Sequence, residues 1–181
     1  QWVRPRKQQM IDIRGLAYVV AETTAISKWQ TFAEGVLGMM TAPSPDGGLY
    51  VRMDERQFRF AVQVGARDAY VASGWEVANQ PAFLAALAHL ADAGVEVTVG
   101  DAALCRLRCA QQVASFQDPS GNRHELVWGF KSDFVHFASP AGVSNFVTGN
   151  IGMGHTVLPA PDFEKTTNFY KDVMGFGLSD I

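Results

Sequence analysis

The sequence predicts an α+β protein made of repeated strand–helix–strand modules, and two observations support this prediction. First, residues 15–38 align without a gap with residues 152–175, and six of these 24 positions are identical. A repeat of that length indicates that one structural unit has been duplicated. Second, each unit opens with a β-leaning run, continues with helical spacing and ends in short strands. This order favours α+β over a doubly wound parallel sheet.

The first module is predicted over about residues 13–65 and contains one strand, one helix and a hairpin. Thr23 and Thr24 can cap the helix, and Gly38 suits its end. The predicted elements are a strand at 13–21, a helix carrying Ile26, Trp29, Phe32, Ala33 and Val36, a loop at 42–48, and strands at 49–53 and 58–64.

A second module is predicted over residues 69–130, and a third begins near residue 151. The second module has a helix that Gly94 ends, and its last two strands flank a tight turn with the sequence DPSGN. Its predicted elements are a strand at 70–77, a helix at 80–93, and strands at 95–99, 104–109, 114–118 and 123–128. Residues 1–9 are interpreted as an extension, and residues 131–150 as a linker.

Composition narrows the possible functions. The chain has 181 residues, 48% of them hydrophobic and 18% charged, which is enough to form an ordinary core. A net charge of −3 gives no electrostatic basis for binding nucleic acid or an acidic membrane. Cys105 and Cys109 are the only cysteines, too few for a secreted disulfide framework, so a cytoplasmic location is expected.

His155 is the first candidate for a metal ligand. The chain has no dinucleotide, nucleotide-phosphate, zinc-protease or serine-hydrolase motif, so a few possible ligands are what remains. His155 falls in a predicted strand between small residues, and Tyr18 occupies its position in the first copy of the repeat. A strand histidine is more often a hydrogen-bonded core residue than a ligand, but the tyrosine indicates that the fold itself does not require histidine.

Glu125 is the second candidate. Strand alternation places it on one face with Arg123 and Val127, where a carboxylate could bind Fe(II), Mn(II) or Zn(II). A salt bridge or an edge charge is the favoured interpretation, because Tyr18 stands where the second copy has His155 and the strand at 70–77 has no histidine.

The other reactive or aromatic side chains give weaker signals. His124 is predicted to face solvent, and His89 and His136 carry no catalytic signature. Cys105 and Cys109 are interpreted as buried thiols. The aromatic residues of the two helices are predicted to pack in the core: Trp29, Phe32, Phe169 and Tyr170.

Two segments carry a family resemblance: DPSGNRHEL at 118–126 and TGNIGMGHTVL at 148–158. With the paired modules, they resemble the type I extradiol ring-cleavage dioxygenases of the vicinal oxygen chelate superfamily, and most of all the 2,3-dihydroxybiphenyl 1,2-dioxygenases. The resemblance runs from about residue 10 to residue 181. It implies repeated βαβββ modules that form a half-open mixed β-barrel.

The resemblance also implies a function. Residues 10–130 would be a non-catalytic N-terminal domain, and residues 151–181 the beginning of a catalytic domain that binds Fe(II). His155 matches the first histidine of a two-histidine, one-carboxylate triad, and Val157 matches a position that lines the catechol pocket. The remaining ligands and the acid–base residues are expected beyond residue 181, and Glu125 is then a relic of the carboxylate ligand. The family implies catechol and O₂ as reactants, a role in bacterial aromatic breakdown, and homo-oligomers. The 181-residue chain alone is expected to be inactive.

Two alternatives stay open at this point. One is a non-catalytic binding protein of the same fold, similar to the bleomycin-sequestering proteins, which would not need the GxGH segment around His155. The other is a glyoxalase or another metalloenzyme of the superfamily. That alternative needs a histidine near Tyr18 or within 70–77, and the sequence has neither.

Overall fold

A computed structural model describes residues 10–149 and 152–179. The helices are α1 (Ile26–Phe32), α2 (Gln80–Asp92), α3 (Ala102–Leu107) and α4 (Phe163–Asn168), with π-helical turns extending α1 over Ala33–Leu37 and α4 over Phe169–Val173. The strands are β1 (Ile13–Thr23), β2 (Met40–Pro43), β3 (Leu49–Arg52), β4 (Phe60–Val64), β5 (Ala69–Val77), β6 (Thr98–Val99), β7 (Gln112–Gln117) and β8 (Arg123–Trp128).

The described strands form one mixed sheet of eight, in the order β2-β3-β4-β1-β5-β8-β7-β6. β1 pairs in parallel with β4 and antiparallel with β5, and β5 in turn pairs in parallel with β8. The order of the first four strands is therefore mirrored in the last four, with the two leading strands side by side in the centre. The sheet does not close, which agrees with the predicted fold of repeated βαβββ modules around a half-open barrel.

Three element predictions are wrong in detail. Residues 104–109 were expected to be a strand but lie largely in α3, because the Asp101 carboxylate caps a helix by accepting from the Leu104 backbone N–H, at 2.8 Å. Cys109, at a φ of 49°, follows the end of this helix. The strand predicted at 95–99 is reduced to Thr98–Val99, and the loop predicted at 42–48 opens with the end of β2.

The start of α1 also differs from the prediction. Its N-cap is Ala25, and no side chain caps the helix. Thr23 instead accepts a hydrogen bond from the Ala25 backbone N–H, at 3.1 Å, and donates one to Asp68, at 2.5 Å. The two helices of the repeat nevertheless end alike, since Gly38 and Gly175 both adopt positive φ, at 67° and 75°.

The core is divided among three clusters. An aromatic cluster joins both modules through Tyr18, Phe58 and Phe130, whose ring centroids lie 5.2–5.4 Å apart. A second cluster packs α2 and the helix of the third module on the sheet of the second module. A third packs α1 on β3 and β4. Phe32 does not join this third cluster and is 47% exposed, so the prediction that it packs in the core is wrong.

The segment predicted as a linker lies against the first module. Arg52 donates to the Asp133 carboxylate at 3.0 Å and to the Val135 carbonyl at 2.7 Å. Phe146 packs beside α1 and the neighbouring strands. Within the described residues, no helix is long and apolar enough to cross a membrane.

Candidate functional site

The segment that carries His155 starts from a close contact with β1. The Met153 backbone N–H donates to the Leu16 carbonyl, at 3.0 Å, and Gly152 forms an isolated parallel bridge with Leu16. A Cβ at Gly152 would stand 2.1 Å from the Leu16 carbonyl oxygen, and the φ of Gly152 is 74°. Only glycine fits this position without strain.

His155 and Val157 lie on the surface beyond this contact. The His155 side chain is exposed, and Val157 is 87% exposed. The strand predicted here is absent, because none of the strands at 10–149 or 152–179 pairs with residues 154–160. An exposed imidazole ring can donate a nitrogen to a transition metal.

The described residues do not complete a metal site around His155. Across 10–149 and 152–179, no group of three or more His, Cys, Asp or Glu side chains could hold a metal ion. One imidazole alone is a poor site for Fe(II), which in non-haem oxygenases takes two histidines and a carboxylate. Further ligands would have to come from outside the described residues.

Tyr18, the counterpart of His155 in the first copy of the repeat, is fully buried. Its hydroxyl donates to Glu125 Oε2, at 2.7 Å. A Cβ at Gly74, on the adjacent strand β5, would lie 2.4 Å from the tyrosine ring, so the ring fills the space in front of this glycine. Burial, and then the negative charge of Glu125, raises the pKa of Tyr18 well above its usual value, so the tyrosine stays neutral.

Glu125 forms a buried ion pair with Arg108, a residue that the sequence reasoning missed. Arg108 Nε donates to Oε2 at 2.8 Å and Nη2 donates to Oε1 at 3.1 Å, a bidentate arrangement. Burial disfavours the charged guanidinium, but the hydrogen bonds and charge of Glu125 outweigh this effect and raise the pKa of Arg108. The salt-bridge interpretation of Glu125 is therefore confirmed, and with Tyr18 and Arg108 around it this carboxylate is occupied by protein donors.

His124 is fully buried, so the prediction that it faces solvent is wrong. The Trp75 indole N–H donates to His124 Nδ1, at 3.0 Å, which assigns the proton of the neutral ring to Nε2. Nε2 lies 3.0 Å from the Tyr170 hydroxyl, which donates onward to Asp118 Oδ2, at 2.8 Å. Burial lowers the pKa of His124, although Asp118 opposes this shift.

This buried network joins the third module to the second. Asp118 opens the DPSGN turn and also accepts from the Asn122 backbone and side-chain N–H groups, at 2.9 and 2.8 Å. These hydrogen bonds, with that from Tyr170, keep the pKa of Asp118 low despite its burial. The Asn122 side chain also donates to the Pro159 carbonyl, at 2.9 Å. The turn that carried the family resemblance therefore serves as the attachment point for the third module.

The remaining candidates take no part in a site. His89 Nε2 lies 3.0 Å from the Val173 carbonyl, a contact that joins α2 to the helix of the third module. His136 is exposed and lies 3.4 Å from Glu55. Cys105 and Cys109 are free and half-buried rather than buried, and burial raises the pKa of the Cys109 thiol, so it is a weak nucleophile.

Comparisons with known proteins show that this chain is similar to extradiol dioxygenases. The family model described as "Dihydroxybiphenyl dioxygenase BphC D1" matches residues 16–65. The family model of the glyoxalase/bleomycin resistance protein/dioxygenase superfamily matches residues 152–181. Biphenyl-2,3-diol 1,2-dioxygenase from Paraburkholderia xenovorans is 40% identical over 176 residues, which cover 94% of this chain and 58% of that protein. An iron-dependent extradiol dioxygenase from Rhodococcus jostii is 38% identical, over 94% of this chain and 57% of its own length.

Solved structures lead to the same group. The crystal structure of a halotolerant catechol dioxygenase matches with a TM-score of 0.86 and 33% identity, covering 91% of this chain and 56% of that one. A Mn(II)-bound glyoxalase from Novosphingobium aromaticivorans shares the fold alone, with a TM-score of 0.72 and 15% identity. The chain thus spans somewhat more than half the length of the relatives it matches.

Proposed function

Since the chain is 40% identical over 94% of its length to a biphenyl-2,3-diol 1,2-dioxygenase, we propose that it belongs to the extradiol dioxygenases and is the N-terminal portion of a longer enzyme that cleaves a catechol ring beside its two hydroxyl groups. The relatives named after biphenyl-2,3-diol support 2,3-dihydroxybiphenyl as the substrate, with O₂ as the second reactant. The iron-dependent relative supports Fe(II) as the metal.

In this proposal the two parts of the chain have different tasks. Residues 10–130 form a non-catalytic domain, residues 131–150 a linker, and residues 151–181 the beginning of the catalytic domain. Glu125 is a relic of a metal ligand that Arg108 and Tyr18 now neutralise and cover. A buried bidentate ion pair of this kind leaves no open coordination position.

His155 is the proposed metal ligand and Val157 a proposed wall of the catechol pocket. When bound, Fe(II) would supply one centre at which a catechol and O₂ meet. His155 would contribute a neutral imidazole nitrogen to it, and the apolar Val157 would contact the hydrocarbon part of the substrate. The other ligands and the acid–base residues would belong to the part of the longer protein that follows residue 181.

The contrast between His155 and Tyr18 is the observation that carries the proposal. The two residues occupy the same position of the repeat, yet Tyr18 is buried in hydrogen bonds and His155 is exposed with its ring available. Because the fold accepts a packed tyrosine at this position of the repeat, a metal-ligand role best explains the histidine at position 155.

The test is ring cleavage by the longer protein. After anaerobic loading with Fe(II), 2,3-dihydroxybiphenyl should give O₂ uptake and a yellow ring-opened product. His155→Gln should lose both the activity and the bound iron, whereas the control His136→Gln should keep both, because His136 is exposed and weakly paired. A wild-type protein that consumes no O₂ with catechols, or an active His155→Gln variant, would refute the proposal.

The chain by itself should behave differently. We propose that the 181-residue protein holds no stoichiometric iron and cleaves no catechol, because it has one of the ligands that the site needs. Metal analysis after Fe(II) loading and desalting measures this directly. For the longer protein we further propose a homo-oligomer located in the cytoplasm, which sedimentation and cell fractionation can test.

A further inference from the structure

One edge of β1 is shared by β4 and the start of the third module. β5 occupies the opposite edge, since it pairs with Leu16 as well as with Val19. On the shared edge, β4 pairs with Val19 and the residues after it, and Gly152 forms a parallel bridge with Leu16. The segment that carries His155 must therefore leave β1 just after this bridge, because β4 already occupies the edge from Val19 onward.

Arg59 fills the junction between β1, β4 and the third module. Its backbone N–H donates to the Val51 carbonyl at 2.7 Å, and its carbonyl accepts from the Val19 N–H at 2.9 Å. The residue is 3% exposed. Its Nη1 donates to the Ala17 carbonyl at 2.7 Å and would stand 3.4 Å from a Cβ at Gly152. The guanidinium therefore binds β1 and faces the start of the third module.

A bulge in β1 makes the Ala17 carbonyl available to Arg59. Leu16 and Tyr18 pair with consecutive residues of β5, so Ala17 has no partner on that strand. A bulge leaves its extra residue outside the ladder and bends the strand. Because Ala17 is buried, its carbonyl needs a hydrogen-bond donor from elsewhere, and Arg59 supplies it. The conformation of β1 beside Leu16 therefore depends on this arginine.

Asp54 fixes the orientation of the guanidinium. Its Oδ2 accepts from Arg59 Nε at 2.8 Å and from Nη2 at 2.5 Å, and its Oδ1 accepts from the Arg56 backbone N–H at 3.0 Å. Burial favours the neutral carboxyl, but the hydrogen bonds and charge of Arg59 outweigh this effect and lower the pKa of Asp54. The hydroxyl of the buried Thr148 adds to the same shift, so this carboxylate also contacts the segment that enters the third module.

We propose that Arg59, held by Asp54, is a positioning residue for His155. It fixes the bulge of β1 beside Leu16, whose carbonyl binds the amide two residues before His155. It also lies at the point where the segment leaves β1, so it sets the direction in which His155 is presented. A metal ligand binds in the intended geometry only when the residues around it hold its backbone in place. The proposal rests on the proposed function, in which His155 binds Fe(II).

Arg59→Lys tests this role in the 181-residue chain without any assay of ring cleavage. Lysine keeps the charge but lacks the planar fork, so it cannot bind the Asp54 carboxylate and the Ala17 carbonyl together as arginine does. Hydrogen exchange of the Met153 amide should become about tenfold faster. Asp54→Asn is a second variant that serves if Arg59→Lys does not fold. It should raise the same exchange rate by less, because the amide oxygen of asparagine still accepts one hydrogen bond.

Arg52→Lys is the matched control. Arg52 is nearly as buried as Arg59, pairs with Asp133 and donates to a main-chain carbonyl, but that carbonyl belongs to Val135. The control should lower the melting temperature by a similar amount and leave the exchange of the Met153 amide within about twofold of wild type. A general loss of stability is thereby separated from a local loss of position.

Metal binding by the longer protein gives the second measurement. The dissociation constant for Fe(II) should rise about tenfold in Arg59→Lys and should change little in Arg52→Lys. The visible spectrum of the Co(II)-loaded protein, which reports the geometry of the ligands, should change only in Arg59→Lys. Equal exchange of the Met153 amide in the two variants, or an unchanged iron affinity in Arg59→Lys, would overturn the role of Arg59. A wild-type longer protein that binds no iron would refute the proposed function, and this role with it, before any variant is compared.

Discussion

The Tyr170 hydroxyl lies 3.0 Å from Nε2 of the buried His124 and ties the third module to the sheet of the second. Tyr170 follows the short helix α4, and His124 is the second residue of β8. Because the indole N–H of Trp75 already occupies Nδ1, the neutral histidine donates from Nε2 to the tyrosine, and the tyrosine donates to Asp118. The indole, the imidazole and the tyrosine hydroxyl therefore each donate to the next group in this series of hydrogen bonds.

Tyr170→Phe should loosen this attachment. The substitution keeps the ring but leaves the His124 Nε2–H without its acceptor and removes one of the two donors to Asp118 Oδ2, a loss of about 1–3 kcal/mol in unfolding free energy. Urea unfolding of the 181-residue chain measures the loss, and hydrogen exchange should rise in residues 163–173. Tyr70→Phe, which removes a hydroxyl bonded to Ser73 and the Arg123 carbonyl, is the control. It should not raise exchange in residues 163–173, and an equal rise in both variants would contradict the assigned role.

Stability should fall as the pH drops below about 6.5, the usual pKa of histidine, because of His124. Its pKa is lowered in the folded protein, so in this range the unfolded chain binds a proton that the folded protein does not. The unfolding free energy therefore decreases with falling pH until the pKa of the folded state is reached. The stability that the neutral His124 contributes is fully present above pH 6.5. Asp118 is the charged group that faces the ring and opposes the shift.

Unfolding curves of wild-type and His124→Gln protein between pH 5 and pH 8 check this prediction. The variant should be less stable at pH 8 but should lose less stability as the pH falls. His136→Gln, at an exposed position, should follow the wild-type pH dependence. The same pH dependence in wild type and His124→Gln would show that another group is responsible.

Glu125→Gln should destabilise the chain far more than the removal of a surface charge. It leaves the buried Arg108 guanidinium without its counter-charge, and breaking one partner of a buried pair costs about 3–5 kcal/mol. Glu22→Gln is the matched control, since Glu22 pairs with the largely exposed Arg67 and should cost about 1 kcal/mol or less. Thermal unfolding at pH 7 distinguishes the two, and similar losses would argue against a closed ion pair around Glu125.

The repeat and the apolar periodicity predicted most of the fold because they depend on local sequence. The strand at β8, helix α2 and the end of the first helix at Gly38 were all predicted from patterns of this kind. The burial of His124 could not be predicted, because strand alternation does not tell which face a later module covers. Arg108 was missed because its partner Glu125 is 17 residues away and because residues 104–109, which include Arg108, were predicted to form a strand where the structure has the end of α3.

The structure around His155 was predicted wrongly for a different reason. A strand forms only where neighbouring strands supply hydrogen-bonding partners, and none of the described strands pairs with residues 154–160. The sequence identified the residue through its alignment with Tyr18. Its pairing, and with it the geometry of the proposed site, depends on parts of the protein outside the described residues.

Gly152→Ala should weaken the start of the third module specifically. The added methyl group would meet the Leu16 carbonyl oxygen, 2.1 Å away, and the positive φ of 74° adds strain of about 1–2 kcal/mol. Gly154→Ala separates the two effects, because Gly154 also has a positive φ, 91°, but has no atom within 4 Å of the added group. Both variants should therefore lose stability, but only Gly152→Ala should raise exchange of the Met153 amide, which bonds to Leu16. Equal exchange of this amide in the two variants would mean that the backbone contact does not hold the segment that carries His155.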